Sequence, residues 1–480
     1  MANQLGQIQH IVQLMLENRS LDHMLGYLYS GSGNISPAGA PFDGLTGQET
    51  NPDDTGQPVT VYPILATGPH PYEQPGADPA EGFQNTNAQL FSTATPAAGA
   101  TATNQGFVVS FKGAIASDLA NGYQDSLPDA APTDIMGAYT PQLLPILSGL
   151  AAGYAVCDVW FASAPTETIP NRAFAAAATS QGHLGDAVKG FTCPSIFGRL
   201  SDQGLDWAIY GYTTAPLTRT DFPDIKSADP SHFGLFTNFQ TRAAAGTLPA
   251  YTFLEPKFAA AGNSQHPNYD VALGETLIHE VYTALMNGPG WASTLLLITY
   301  DEAGGTYDHV PPPANATPPG DGTVGDFGFD FTRFGVRIPA VLVSPLIAPG
   351  TVYRGSGPID HTSVLKTIQE RWGTAPLTAR DAAAASLGDV LTLAAPRTDD
   401  PLAGVTPPVS NAPPRPLTKP TRLELIHAEK VGALPIMDAH GTYQEARPVL
   451  TTSDEVETFI NGRMAAWDAQ LLREKAAKQG

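Results

Sequence analysis

Four short polar clusters in this chain carry side chains able to work on a charged ester: Glu17-Asn18, Thr168 with Asn171 and Arg172, His266, and Asp301-Glu302. Carboxylates together with an amide oxygen form a hard oxygen shell, the donor set that divalent cations prefer. A hydroxyl beside such a cation loses its proton more readily and becomes a nucleophile near neutral pH. An imidazole and an amide can hold the nonbridging oxygens of a phosphoryl group as charge spreads over them. Each cluster alone also has a bland reading. An Asp-Glu pair in a loop is commonly just solvated, His266 ahead of Pro267 fits a surface loop, and Thr168 can support the turn before Pro170. Arg172 fits either a phosphate or a carboxylate at a helix start.

What joins the clusters is their place relative to the predicted elements. Ile8 to Leu16 is a largely apolar run that reads as a buried strand and delivers Glu17-Asn18-Arg19-Ser20 at its end. Ala155 to Phe161 reads as a second buried strand, feeding residues 162–172 and then an Ala-rich helix from Ala173 to Thr179. Leu143 to Leu150 reads as a helix. Val271 to Met286 carries Leu273, Leu277, Ile278, Val281 and Leu285 at helical spacing, and Gly288-Pro289-Gly290 stops it. Thr294 to Thr299 is a predicted strand with Tyr300-Asp301-Glu302 at its end, Ile338 to Val343 is another, and Asp360 can cap a helix from Ser363 to Trp372. Residues Tyr29 to Asn104, rich in Gly, Pro, Asn and Asp, read as a long irregular excursion. Repeated strand–loop–helix units predict a mostly parallel sheet between helical layers, a three-layer α/β/α sandwich with irregular insertions. Open sheets of this kind build sites beyond the carboxyl ends of their strands, where all four clusters fall.

The formal charge of −21 argues against nucleic acid and anionic membranes as partners. It leaves phosphate esters open, because a bound metal reverses the sign locally. With 42% hydrophobic and only 15% charged residues the chain can bury a sizeable core. Two cysteines, Cys157 and Cys193, do not make a disulfide framework. Cys157, in an apolar run, is expected as a buried free thiol, and a single bridge between the two stays open. No apolar stretch is long enough to span a bilayer. Met1 to Gln9 lack the basic start and apolar core of a signal peptide, which fits either a cytoplasmic protein or a chain without its leader. Residues 1–395 are expected to form the catalytic domain. Residues 396–480 read as a Pro-rich linker and a C-terminal extension, with Asp454 to Lys478 as an amphipathic helix. The oligomeric state stays open.

Five motifs in order give the chain a resemblance to a known family: ENRSLDH at 17–23, PNRAF at 170–174, YDEAGGTYDHVPPP at 300–313, RIPAVLVSP at 337–345 and DHTSVLKTIQERWG at 360–373. From about Ile8 to Gly373 it resembles the bacterial and plant phosphoesterase family that includes phospholipases C and a group of acid phosphatases. The resemblance implies an alkaline-phosphatase-like core and one divalent metal ion surrounded by Glu17, Asn18, Thr168, Asp301 and Glu302. It implies Thr168 as the nucleophile, through a phosphothreonine intermediate, with His266 as the second catalytic group at the phosphoryl. Asn18, Arg172, Glu81 and His361 are the positions expected at the substrate, a small phosphate ester or a phospholipid headgroup. His309 and His361, inside family motifs, also fit a supporting role, fixed by carboxylates. One departure stands out. Relatives carry a DPxHxF-like segment whose His faces the phosphate, whereas this chain reads Asp78-Pro79-Ala80-Glu81-Gly82-Phe83. A carboxylate at Glu81 repels a phosphate dianion unless it is protonated or binds a cation, and His70 is the other imidazole that could take the place.

Two other readings compete. A binding protein on the same fold that has lost catalysis is supported only by Glu81 and opposed by Thr168, Asp301 and Glu302. A sulfatase or phosphomutase lacks, respectively, a Cys or Ser at the nucleophile position and the additional metal ligands.

Overall fold

All of strand β1 (His10–Leu16) except its first residue is buried, as expected for a strand covered on both faces, which reads as an almost unbroken apolar run. The computed structural model, which describes residues 3–121, 126–412, 418–438 and 440–479, places β1 in the interior of an eight-stranded sheet. The other strands are β2 (Ala155–Cys157), β3 (Trp207–Gly211), β4 (Phe233–Leu235), β5 (Tyr251–Leu254), β6 (Thr294–Tyr300), β7 (Ala340–Val343) and β8 (Thr351–Tyr353), in the spatial order β8-β2-β7-β6-β1-β5-β3-β4. Strand β1 runs parallel to β6, from His10↔Thr294 to Leu16↔Tyr300, and parallel to β5, from Ile11↔Tyr251 to Leu14↔Leu254. Only β7 opposes its neighbours, β6 and β2; β2 therefore points the same way as β1 and β6, and the sheet is mostly parallel, as predicted.

Helices α1 (Pro145–Gly153), α2 (Thr168–Ala177), α3 (Phe236–Ala245), α4 (Val271–Met286) and α5 (Thr362–Trp372) complete three layers. On one side α1 and α3 pack on α4; on the other α2 packs on α5 and on the helix Ile196–Asp202. Helix α4 has the predicted limits and buries Leu277, Ile278, Val281 and Leu285, but Leu273 is 42% exposed; Val271 and Ala272 carry the buried face through the first turn in its place. Buried Glu275 on α4 accepts the backbone N–H groups of Ile146 (2.7 Å) and Leu147 (3.0 Å), satisfying two orphan donors of the first turn of α1.

The segment from Tyr29 to Asn104 is less irregular than its composition suggested. It holds a hairpin, Thr50–Pro52 against Pro58–Thr60, and a helix, Phe83–Phe91; a further helix, Phe107–Asn121, follows. Cys157 is buried, Cys193 is half-buried, and both are free thiols.

Beyond residue 395 the chain stays on the core for a stretch. Arg397 N donates to the Pro345 carbonyl, Tyr282 Oη donates to Asp400 Oδ1 (2.8 Å), and Leu402 joins the main core. Residues 413–417 of the Pro-rich stretch lie outside the described residues. Helices α6 (Arg422–Gly432) and α7 (Ser453–Gln479) then pack together. Their Ala428, Val431, Val456, Ile460, Met464 and Trp467 enclose Ala215 of the body. A buried Lys430–Asp221 pair (2.5 Å) and the Arg219–Asp468 pair fasten the two helices to the loop after β3.

Candidate active site

Because β1 and β6 are parallel neighbours with Leu16 opposite Tyr300, the residues that follow, Glu17-Asn18 and Asp301-Glu302, emerge side by side at the same edge. Asp301 is the hub. Its Oδ1 accepts the backbone N–H groups of Asn18 (3.1 Å) and Glu302 (2.9 Å), and its Oδ2 accepts Arg172 Nε (2.9 Å). Arg172 also donates to the carbonyls of Met15 and Leu16 at the end of β1. The fully buried ring of His361 reaches the Asp301 carbonyl through Nε2 (2.6 Å), and burial depresses its pKa, so the imidazole is neutral. Arg172 and His361 were expected at the substrate. The structure places both against Asp301, Arg172 on its carboxylate and His361 on its backbone carbonyl; Arg172 takes the second of the two partners its sequence position allowed.

Thr168 opens helix α2, and its Oγ1 donates to Asn18 Oδ1 (3.1 Å). Helix α2 thereby aims the positive end of its dipole at this spot. Asp186 Oδ1 accepts the Ile169 N–H (2.8 Å) in the same turn; burial and the charge of Glu167 push its carboxyl up to about 7. Asn18 is fully buried and holds a left-handed backbone, φ 57°, a conformation that costs energy and gathers at functional sites. The loop after β6 can approach it only because residue 304 is a glycine, and Gly305 packs in the same way against the Ala80 carbonyl. Both have positive φ, and a Cβ on Gly304 would lie 2.2 Å from the Asn18 carbonyl oxygen.

Burial raises Glu17 well above the usual carboxylate range, with the charge of Asp301 adding to it. The same two causes, in the same order, raise Glu302. Glu302 Oε2 accepts the Gly304 N–H (2.7 Å), while Oε1 is buried with no hydrogen-bond partner among the described residues. An all-oxygen set with crowded carboxylates and an unused buried oxygen fits a hard divalent cation. Ligand atoms of three acidic or histidine residues come within 4.8 Å of one another in two groups among the described residues, Asp22-Asp308-His309 and Asp78-Glu81-His266; Glu17, Asp301 and Glu302 do not make such a triple.

The second of those groups adjoins Asn18 and, through it, Thr168. Glu81 Oε2 accepts Asn18 Nδ2 (2.7 Å), which draws Glu81 and His266 to the same edge as Thr168. His70 instead pairs with Glu73 (2.5 Å). The first group is occupied by Arg337, which donates to Asp308 (2.9 Å) and Asp22 (3.0 Å), while His309 pairs with Asp22 (2.6 Å). Those bonds to Asp22 and Asp43 outweigh burial and raise His309 to about 10. Three of the sequence motifs thus meet in a buried ion network that sets the loops rather than the chemistry.

Arg19, Asp186 and Arg337 escaped the sequence reading. Arg19, fully buried, donates to the carbonyls of Gln265 (2.6 Å), His266 (2.9 Å) and Gln74 (2.6 Å), and so fixes the loop that carries His266. Its signal was its place inside ENRSLDH. Asp186 lies in no motif and gave none.

Comparison with known proteins identifies the family. Residues 8–375 match the family described as the Phosphoesterase family. Over 417 residues the chain is 35% identical to non-specific phospholipase C6 of Arabidopsis thaliana, covering 82% of this chain and 74% of the relative. It is 27% identical over 414 residues to phospholipase C A of Mycobacterium tuberculosis, covering 77% and 74%. A solved Vibrio parahaemolyticus protein of the alkaline phosphatase superfamily aligns at 12% identity with a TM-score of 0.31, over 69% of this chain and 83% of that one. With nearly the whole of its α/β body matched and phospholipases C among its relatives, the chain belongs to the phosphoesterase family and is a hydrolase of phosphoric esters.

Proposed function

We propose that this hydrolase uses one divalent cation held by Glu17, Asn18, Thr168, Asp301 and Glu302, and that the phosphoryl group passes through a covalent phosphothreonine at Thr168. The observation that carries this reading is the setting of Thr168 Oγ1: first turn of α2, 3.1 Å from Oδ1 of Asn18, the residue that follows Glu17 and whose N–H is held by Asp301. A cation bound there supplies Lewis acidity, lowering the hydroxyl pKa and drawing charge from the phosphoryl oxygens.

The chain's own groups do the rest. Asn18, locked by its backbone and by Glu81, orients the hydroxyl; Asp301, braced by Arg172 and His361, keeps its place; His266 holds a phosphoryl oxygen. In the first step the Thr168 Oγ–P bond forms as the P–O bond to the leaving alcohol breaks, and the proton released by Thr168 Oγ1 is balanced by the one the alcohol oxygen takes up. In the second, water attacks the same phosphorus, the Oγ–P bond breaks and Thr168 is regenerated. Relatives named as phospholipases C make a phospholipid headgroup diester the preferred substrate class, with the leaving oxygen that of the glycerol. Acid-phosphatase action on a monoester is the alternative that uses the same residues.

The test is stereochemistry at a chiral phosphorus, together with Thr168→Ala and Thr168→Ser. Two in-line steps give net retention. The Ala variant should fold and lose turnover by orders of magnitude, and Ser should keep part of it. Inversion, or near-normal turnover in Thr168→Ala, removes the covalent step.

A further inference from the structure

We propose that the groove between the helix Phe83–Phe91 and the loop 324–333 seats an acyl chain of the phospholipid substrate, and that Val324 and Phe327 at the loop tip enter the lipid surface. The proposal deepens the reading of the catalytic site and rests on it for the position of the phosphorus and for a phospholipid as substrate.

The loop tip is built outward. Phe327 is 71% exposed and Val324 74%. Phe327 also holds a left-handed backbone, φ 57°, which a bulky side chain adopts only at a cost. The turn that imposes it is closed by the Gly325 N–H on the Phe329 carbonyl (2.9 Å) and the Gly328 N–H on the Gly325 carbonyl (3.0 Å). Its base is tied to the segment after α2: the Asp326 N–H donates to the Gly182 carbonyl (3.0 Å), and Asp326 Oδ2 accepts the Leu184 N–H (3.3 Å). Strain that holds an apolar ring in water does nothing for the fold; the ring gains free energy only where it leaves water.

Behind the tip the groove is aromatic. Phe327 stacks on Phe83 at 5.7 Å between ring centres, and Phe329 meets Phe83 at 5.0 Å. The Arg333 guanidinium lies 4.9 Å from the Phe91 ring centre and 5.3 Å from that of Phe329, and it donates to Asn87 Oδ1 (2.9 Å), so it ties the loop to the helix. Residues 94–100, small and uncharged, complete the lining around about 450 Å3. That is within the ~300–1,000 Å3 of small-ligand sites. The charged residues of the lining are Asp330 and Arg333, one of each sign, which suits an uncharged chain better than an ion.

Both walls begin at the catalytic edge. A Cβ on Gly82, the residue before Phe83, would lie 3.2 Å from Oε1 of Glu167, which precedes Thr168. Leu184, bonded to the loop base, is two residues from Asp186, which accepts the Ile169 N–H (2.8 Å) in the first turn of α2. A diester with its phosphorus at Thr168 thus has the groove within reach of its glycerol side. The chain's charge of −21 selects a zwitterionic lipid surface over an anionic one.

The experiment compares vesicles of phosphatidylcholine with a water-soluble aryl phosphocholine, using the full-length protein. In the double variant Val324→Ser, Phe327→Asn, where Asn suits the left-handed backbone, cosedimentation with vesicles and hydrolysis of their lipid should each fall at least tenfold. Turnover of the aryl phosphocholine should stay within twofold. Phe327→Trp should keep vesicle hydrolysis. Ala97→Trp, which fills the groove, should still bind vesicles but cleave their lipid at least tenfold more slowly. Equal loss on both substrates, undiminished vesicle hydrolysis in the double variant, or normal vesicle hydrolysis in Ala97→Trp overturns the proposal. A double variant that changes only the oligomeric state in light scattering makes the tip a contact between copies, and the proposal fails. If wild type cleaves an aryl phosphate but neither binds nor cleaves the vesicles, the groove is refuted and the chemistry at Thr168 stands. Vesicle binding that depends on Phe327, with no phosphate ester cleaved, refutes the catalytic reading and leaves the lipid-binding tip. Unchanged near-ultraviolet circular dichroism checks that each variant is folded.

Discussion

Acid should loosen the C-terminal helix pair before it disturbs the sheet, and His427 sets how much. This residue lies in α6, 6% exposed, with Nε2 lacking a partner among the described residues. Burial, then the charge of Lys430, push its pKa down to about 3, against 6.5 for an ordinary histidine; the Ala215 carbonyl opposes this only in part. Between those values the undocked form binds a proton that the docked form does not. Stability therefore rises with pH across the window; it is fully present above 6.5 and is lost as pH falls toward 3. At about 1.4 kcal/mol per unit the full gap is worth up to ~5 kcal/mol, of which about 2 kcal/mol is gone by pH 5. Undocking α6 and α7 exposes His427 without opening the sheet, so the loss falls on that pair first. Hydrogen exchange of the α6 and α7 amides, corrected for intrinsic rates, should show protection falling roughly 30-fold from pH 7 to pH 5 through this group. In His427→Leu, where an apolar side chain takes the buried place, that part of the fall should vanish. Equal pH dependence in the two proteins would refute the argument.

Removing tightly bound metal should abolish turnover and adding a divalent cation should restore it; activity in protein shown by elemental analysis to be metal-free contradicts the proposed site. Arg337→Met leaves Asp22 and Asp308 buried without their cation and should cost about 3–5 kcal/mol in denaturant unfolding. Arg337→Lys should recover only part of that, because one ammonium cannot serve both carboxylates and the Asp43 and Asp158 carbonyls; a loss under 1 kcal/mol for the Met variant would show the network to be dispensable. Gly304→Ala pushes a Cβ onto the Asn18 carbonyl in a left-handed conformation and should lower kcat at least tenfold while the far-ultraviolet spectrum is unchanged; full activity would mean that Asn18 tolerates displacement. A chain ending at residue 412 should unfold at lower temperature, having lost the α6–α7 cluster and the Lys430–Asp221 pair, yet keep turnover of a small aryl phosphate within a few-fold; a folded but inert truncation would give the extension a part in the chemistry.

Much of this arrangement was legible in the sequence. Strands β1 and β6 and helices α4 and α5 announced themselves through unbroken or periodic apolar residues, and the polar residues at the strand ends do emerge at one edge. The helix Phe83–Phe91 was hidden because it buries Thr86, Asn87 and Gln89 along with Phe83 and Leu90, so no apolar stripe marks it. The reversed direction of β7 could not be read either, since an apolar run carries no sign of orientation. Arg19, Asp22 and Arg337 were out of reach for a different reason. A charged residue in a sequence is taken as solvated, and only the fold reveals that these three are 0–1% exposed, the two arginines bonded to carbonyls and carboxylates, and Asp22 to Arg337 and His309, from distant segments.

The place of β1 bears on how the protein is made. The first strand of the chain has its ladder partners in β5 and β6, which begin about 240 and 280 residues downstream of its start. At the usual pace of roughly 5–20 residues per second, a ribosome needs on the order of ten to fifty seconds to deliver even the first of them. For that interval Ile11 to Leu16, fully covered in the finished sheet, has nothing to pair with, and its backbone groups and apolar side chains are open to any neighbouring strand. A nascent chain of this design depends on a holding chaperone far more than one whose early strands pair with each other, and its yield should respond to translation speed. The same delay keeps the hydrolase silent during synthesis, because Asp301 and Glu302 directly follow β6 and leave the ribosome with it, about 280 residues after Glu17 and Asn18.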